Sequence, residues 1–158
     1  MAPPDGSGLS RQTGTRVTLH LGVVDQPYRS KGKTSAMTTY GVAKILEAKY
    51  GLMQRYYDVR QKQIIGALEW GIVGAVGALV QGQRVDPYGS AAQKIQSGFR
   101  DFVSSKEAER VGIPGTPTKA ALAGINRRLA HPYRKGNPRR PSFLDTGLLV
   151  SSFRAWVD

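Results

Sequence analysis

The sequence contains no cysteine, only two histidines and only 11 acidic residues. Without cysteine, a disulfide scaffold, a thiolate-bound metal and thiol catalysis are all excluded. His20 and His131 are too few for a site built from several histidine ligands. Since no catalytic set is recognisable either, we expect a protein that is not an enzyme and that uses no cofactor, metal ion or small-molecule substrate.

Positive charge is abundant. Lys and Arg number 23, which gives a net charge of +12. An excess of this size points to a nearby polyanion, an acidic protein partner or a membrane surface. No acid occurs between Glu109 and Asp145, and we predict that the basic residues in this interval contact DNA or an acidic neighbouring subunit. The candidates are Arg127, Arg128, Arg134, Lys135, Arg139 and Arg140.

The pattern of elements predicts a single helix-dominated α+β domain with arms at both ends. Residues 1–37 form an extended arm with one strand at about 16–24, where apolar and polar residues alternate. Residues 38–130 form a helical body. Residues 131–158 form a basic arm with a short C-terminal helix. Within the N-terminal arm, residues 28–37 are a basic loop.

Capping signals place the helices of the body. Thr38 or Thr39 caps a first helix that Gly51 ends, and a long helix follows over about 52–81. Ser90-x-x-Gln93 is a capping box for a third helix. A short fourth helix begins near Ser104, and Thr118 caps a fifth that has Leu122, Ile125 and Leu129 on one face.

The second half of the long helix carries little charge. Over residues 64–80 only Glu69 is charged. The stretch is shorter than the ~20 residues of a typical membrane span, which leaves a membrane protein as the weaker alternative. We predict a subunit-interface helix whose close packing uses three glycines, namely Gly71, Gly74 and Gly77.

A second set of packing residues lies near the C-terminus. Asp145-Thr146-Gly147 matches the short signature of aspartic proteases, but one copy cannot supply the two carboxylates that such a site needs. We therefore interpret Asp145 as the cap of the last helix. Its apolar residues, predicted to anchor the C-terminus on the same subunit or on a neighbour, are Leu148, Leu149, Phe153 and Trp156.

Residues 113–156 carry a resemblance to a known class of proteins. The run Pro-x-x-x-Asp-Thr-Gly-x-Leu-x-x-Ser, at residues 141–152, is similar to a segment of tailed-bacteriophage tail-completion and neck proteins. The preceding Gly-Thr-Pro-Thr-Lys-Ala-Ala-Leu-x-Gly-Ile-Asn-x-Arg-Leu, at residues 115–129, also resembles small phage virion proteins.

The resemblance implies a structural part of a virion, assembled in the host cytoplasm into a ring at the head–tail junction. Its partners would be other copies of the chain, portal, adaptor or tail proteins, and packaged DNA. The alternative from a different class is a nucleic-acid-binding protein without sequence preference, since the basic C-terminal third suits phosphate contact.

Overall fold

A computed structural model describes residues 17–30 and 33–158, and helices dominate this part of the chain. The elements there are β1 (Leu19–Val23), β2 (Pro27–Ser30), β3 (Lys33–Thr38), α1 (Thr39–Tyr50), α2 (Leu52–Val80), α3 (Gly89–Ser104), α4 (Glu107–Arg110), α5 (Lys119–Leu122), α6 (Leu148–Ser152) and β4 (Phe153–Val157). This arrangement confirms the helix-dominated α+β class. Residues 1–16 of the predicted N-terminal arm lie outside the described residues.

A single residue joins α1 to α2. The Thr38 hydroxyl accepts a hydrogen bond from the first turn of α1, which confirms the predicted cap, and Gly51 ends the helix with φ of 57°. The Glu47 carboxylate then accepts hydrogen bonds from the backbone N–H groups of Met53 (2.7 Å) and Gln54 (3.1 Å). A carboxylate at this position satisfies the open N-terminus of α2 and its positive dipole.

The core forms where α3 packs on the first half of α2. The Tyr56 hydroxyl donates a 2.7 Å hydrogen bond to the backbone oxygen of Ile95. Phe99 stacks on Phe153 at 3.9 Å between ring centroids, so the C-terminal strand completes the same core. The buried residues of α3 that form its apolar stripe are Ile95, Phe99, Phe102 and Val103.

The two ends of the described chain meet in an antiparallel pair. β1 runs against β4 with Leu19 opposite Val157 and Val23 opposite Phe153. Beyond the strands, Thr18 and Asp158 exchange backbone hydrogen bonds of 2.8 and 3.1 Å. The strand predicted at about 16–24 is therefore present as Leu19–Val23.

The prediction of a loop over residues 28–37 is wrong. β2 and β3 form an antiparallel hairpin there with an irregular register. Its ends are tied together by Thr39, whose N–H donates to the backbone oxygen of Gln26 (2.9 Å) and whose hydroxyl accepts from the Gln26 N–H (2.8 Å). Backbone pairing and this tie specify the hairpin, whereas the residues lack the apolar alternation of a typical strand.

The C-terminal helix is shorter than predicted, because α6 ends at Ser152 and the next five residues form β4. In β4, Phe153 and Ala155 are buried while Trp156 faces outward, as alternation along a strand requires. The predicted helical placement of Phe153 and Trp156 is therefore wrong, since pairing with β1 satisfies this backbone instead.

Asp145 does not cap α6. Gly147 occupies the N-cap position with φ of 83°. The Asp145 carboxylate instead accepts a 2.9 Å hydrogen bond from the backbone N–H of Arg127. The predicted cap is thus replaced by a contact between two segments that lie 18 residues apart.

Two further helix predictions need correction. α3 begins at Gly89, before the predicted cap Ser90, and Asp86 accepts a hydrogen bond from the Tyr88 N–H at that end (2.9 Å). Thr118 does cap α5, but the helix is a single turn. Its predicted apolar face does not form, since Leu122 and Leu129 are exposed.

Candidate assembly surface and basic platform

The second half of α2 presents an apolar face to solvent. Ile65, Ile72, Val76 and Leu79 are exposed and follow one another at intervals of 7, 4 and 3 residues. Such spacing places side chains along one side of a helix, as in helix–helix interfaces. We call these four residues the apolar seam. Two further exposed valines, Val73 and Val80, flank it.

Another side of this half-helix contacts the chain itself. A Cβ atom added at Gly71 would lie 2.1 Å from the backbone oxygen of Pro87. The close approach at Gly71 is thus made within the chain, which corrects the prediction of a subunit contact there. Gly74 and Gly77 have no heavy atom within 4 Å of an added Cβ, so both remain open for an external partner.

α2 is more exposed to solvent than is usual for so apolar a helix. By length and composition α2 could cross a membrane, and only 6% of its 18-residue apolar window is buried. A core helix of a soluble protein with this composition would be mostly buried. An exposed apolar surface of this kind marks a site of protein or membrane contact.

The predicted C-terminal packing residues divide into two groups. Leu149 and Phe153 are buried within the chain's own core, so of the two predicted placements they anchor the C-terminus on the same subunit. Leu148 is half-buried. Trp156 is 48% exposed and stacks on His20 at 5.2 Å between ring centroids, and His20 Nε2 lies 2.7 Å from the Asp158 carboxylate.

Residues 124–142, which we call the basic platform, are irregular but closely tied together. The Asn137 side-chain amide donates to the backbone oxygens of His131 (2.9 Å) and Pro132 (3.2 Å). Asn126 N–H also donates to the Pro132 oxygen (3.2 Å). Gly124 has φ of 68°, and an added Cβ would lie 2.3 Å from the Asn137 backbone oxygen. These contacts fix the loop without a helix or strand.

Arg140 lies beneath the platform, only 7% exposed. Its Nε donates to the backbone oxygen of Ile125, and its Nη1 donates to that of Pro141 (3.0 Å). Burial lowers the pKa of this guanidinium. Because its donors hold the loop together from inside, the prediction that Arg140 contacts DNA or a partner is wrong.

Glu109 anchors the C-terminal end of the platform to α4. Its carboxylate accepts hydrogen bonds from the Ser142 N–H (2.8 Å) and hydroxyl (2.7 Å), and it pairs with Arg139. Burial acts to raise the pKa of Glu109, but the hydrogen bonds from Ser142 and the Arg139 charge outweigh it, so the pKa is lowered. Arg139 is therefore engaged within the chain.

Arg127 is also engaged. Its Nη1 lies 3.2 Å from the Asp145 carboxylate. A hydrogen bond to Tyr133, followed by the charge of Asp145, raises the pKa of this guanidinium. Burial and the same carboxylate raise the pKa of Tyr28, which places β2 beside the pair.

Three of the six predicted basic residues are exposed and have no carboxylate partner among the described residues. Arg128 is exposed, and its Nε lies 3.3 Å from the Asn126 side-chain oxygen, which is uncharged. Arg134 and Lys135 are exposed at the tip of the platform. Within the described part of the chain, their side chains form no hydrogen bond or ion pair. We call these three residues the cationic tip.

Sequence reasoning identified α2 as the packing helix but chose its glycines rather than its apolar side chains. The 7, 4 and 3 spacing of the apolar seam was the available signal. No local signal marks the Glu109–Ser142 contact, since the two residues lie 33 positions apart.

The fold and these two surfaces define a helix-dominated α+β domain with an unpartnered apolar helix face and a fixed cationic loop. No protein-family model, curated protein or solved structure matches the chain. A functional assignment therefore depends on the surfaces themselves and on the resemblance of residues 113–156.

Proposed function

We propose that the chain is a non-enzymatic structural component of a tailed-phage particle. Copies associate through the apolar seam of α2 into a ring at the head–tail junction, in contact with portal, adaptor or tail proteins. The exposure of this seam is the observation that carries the proposal. The resemblance of residues 113–156 to neck and tail-completion proteins is the reason for placing the ring in a phage particle.

The energetic basis is the cost of leaving the seam in water. Val76 and Leu79 are 57% and 63% exposed, and burying a side chain of this kind contributes about 1.5–3 kcal/mol. Residues 70–83 contain no charged group, so two seams can meet over Ile72, Val76 and Leu79 without burying an unpaired charge. Glu69 lies between Ile65 and Ile72 on the same side of α2, so a contact that reaches Ile65 must leave this carboxylate in water. Gly74 and Gly77 are open as well, but at 3.6 residues per turn they lie on another side of α2 and do not belong to the contact between two seams.

The buried C-terminal residues do not contribute to this interface. Leu149 and Phe153 are used inside the chain, which leaves the seam as the principal candidate contact. The substitutions that test the interface are therefore placed in α2.

The test compares two Val→Glu substitutions on the same helix. Val76→Glu places a charge within the seam, whereas Val59→Glu places one at a site that is 43% exposed on another side of α2. Native mass spectrometry and negative-stain imaging should show rings for the unmodified protein and for Val59→Glu. Val76→Glu should be monomeric, with a far-UV circular dichroism spectrum unchanged from that of the unmodified protein.

Two results oppose the proposal. One is an unmodified protein that stays monomeric at high concentration. The other is a Val76→Glu variant that still forms rings.

A membrane protein is the second candidate, and the length and composition of α2 favour it. However, Ile64 is buried in the core and Gly71 packs against Pro87. The nine residues beyond Gly71 span about 13 Å at ~1.5 Å per residue, well short of the ~30 Å hydrocarbon core of a bilayer. Flotation of the protein with phospholipid vesicles would support this candidate, and solubility without detergent would oppose it.

A further inference from the structure

Within the described residues, the cationic tip of the basic platform has no carboxylate partner. Of the ten carboxylates in the described part, all but Glu69 and Asp101 already accept a hydrogen bond or pair with a cation. The described residues also include no group of three acidic side chains close enough together to hold a cation, so a second copy offers no clustered acidic site for the tip. A polyanion from outside the described chain is the better complement.

The tip is also organised before any partner arrives. Asn126 holds the Arg128 side chain, and Asn137 holds the turn that carries Arg134 and Lys135. A loop already fixed in place loses little conformational entropy on binding. Tyr133, 67% exposed, lies beside the two tip residues and adds an aromatic surface.

We propose that the cationic tip binds the phosphate backbone of duplex DNA without sequence preference. Guanidinium groups match phosphate geometry, and phosphates repeat along the duplex at short intervals. Within the basic platform, no helix or strand is present that could read base edges in a groove. Contact with the backbone alone is the mode this loop supports.

This proposal rests on the proposed ring in one respect, because several copies in a ring would present several cationic tips to one duplex. A single copy would bind the duplex through one tip, and more weakly. The Val76→Glu variant separates the two ideas: loss of rings with residual tip-dependent DNA binding upholds both the seam and the tip. An unmodified protein that forms no rings but binds DNA through the tip would overturn the seam and uphold the tip.

The experiment measures binding of a fluorescent duplex of arbitrary sequence by anisotropy over a range of salt concentrations. In the Arg134→Ala/Lys135→Ala variant, affinity at low salt should fall at least tenfold. The slope of log K against log salt should decrease by about 2, since each phosphate contact contributes ~0.9. A second duplex of unrelated sequence should bind equally well.

The matched control removes the same two charges elsewhere. Lys94 and Arg100 are exposed on α3, and Lys94→Ala/Arg100→Ala should change the slope much less. Thermal unfolding of both variants verifies that they are folded.

Three outcomes would overturn the proposal. The control could lose as much affinity as the tip variant, which would indicate a general charge effect. The unmodified protein could fail to bind duplex at low salt. Poly-L-glutamate at equal charge concentration could displace the duplex completely, which would indicate an acidic protein surface as the natural partner.

Discussion

The two halves of α2 differ in what covers them. In the first half, Leu52, Tyr56 and Ile64 are buried against the core, and Tyr56 reaches across to α3. In the second half, the apolar side chains of the seam face solvent. Both halves carry large apolar side chains, so hydrophobicity alone does not separate the buried residues from the exposed ones; the presence or absence of α3 alongside does.

The difference also extends to charge. Burial raises the pKa of Tyr56 to about 12 in the first half, and Arg60 pairs with Glu107 of α4. Residues 70–83 contain no Asp, Glu, Lys, Arg or His. The first half is therefore coupled to the electrostatics of the body, whereas residues 70–83 offer no titratable group to a contact through the end of the helix.

The largest expected effect tests whether stability resides in the first half and its partners. Phe99→Ala removes a ring that stacks on Phe153 and contacts Tyr56, and it should lower the free energy of unfolding by about 3–5 kcal/mol. Val73→Ala in the exposed half should change it by no more than about 0.5 kcal/mol. Urea denaturation of a monomeric background measures both, and similar losses at the two sites would contradict the division.

A smaller effect concerns the acid sensitivity of the body. Glu109→Gln removes the charge that Ser142 and Arg139 stabilise and should cost about 1.5–3 kcal/mol at neutral pH. Because the pKa of Glu109 is lowered in the folded state, its contribution is present above the ordinary value of 4.5 and is lost as pH falls through the folded value.

The variant should therefore lose less stability than the unmodified protein as the pH decreases below about 4.5. Glu69→Gln provides the control, since Glu69 is exposed and forms no ion pair within the described part of the chain. Thermal midpoints measured from neutral to acidic pH give the comparison. If the thermal midpoints of Glu109→Gln and the unmodified protein fall in parallel as the pH decreases, the Glu109 carboxylate does not contribute to the acid sensitivity of the body.

Local signals in the sequence predicted the elements that local physics specifies. Thr38 and Thr118 cap their helices as predicted, and Gly51 ends α1 in a left-handed conformation that suits glycine. The length of α2 was equally evident from its composition. These features depend on residues that are close neighbours along the chain.

Features specified by distant contacts could not be predicted. Asp145 is of a residue type that often caps helices, but its carboxylate accepts a hydrogen bond from the Arg127 backbone N–H instead. Phe153 and Trp156 fit a helical spacing, yet β1 recruits them into a strand. Arg140 looks like any other surface arginine in the sequence, and only the backbone oxygens around it account for its burial.

The smallest and most discriminating prediction compares two glycines three residues apart. Gly71→Ala forces a Cβ to 2.1 Å from the Pro87 backbone oxygen, so the loop after α2 must shift at a cost of about 1–3 kcal/mol. Gly74→Ala meets nothing within 4 Å and should stabilise the monomer by up to ~1 kcal/mol through helix propensity. Measured by chemical denaturation in the Val76→Glu background, the two should have opposite signs. If both substitutions stabilise the monomer, Pro87 does not lie against α2. The packed half of α2 then ends before Gly71, nearer to the core.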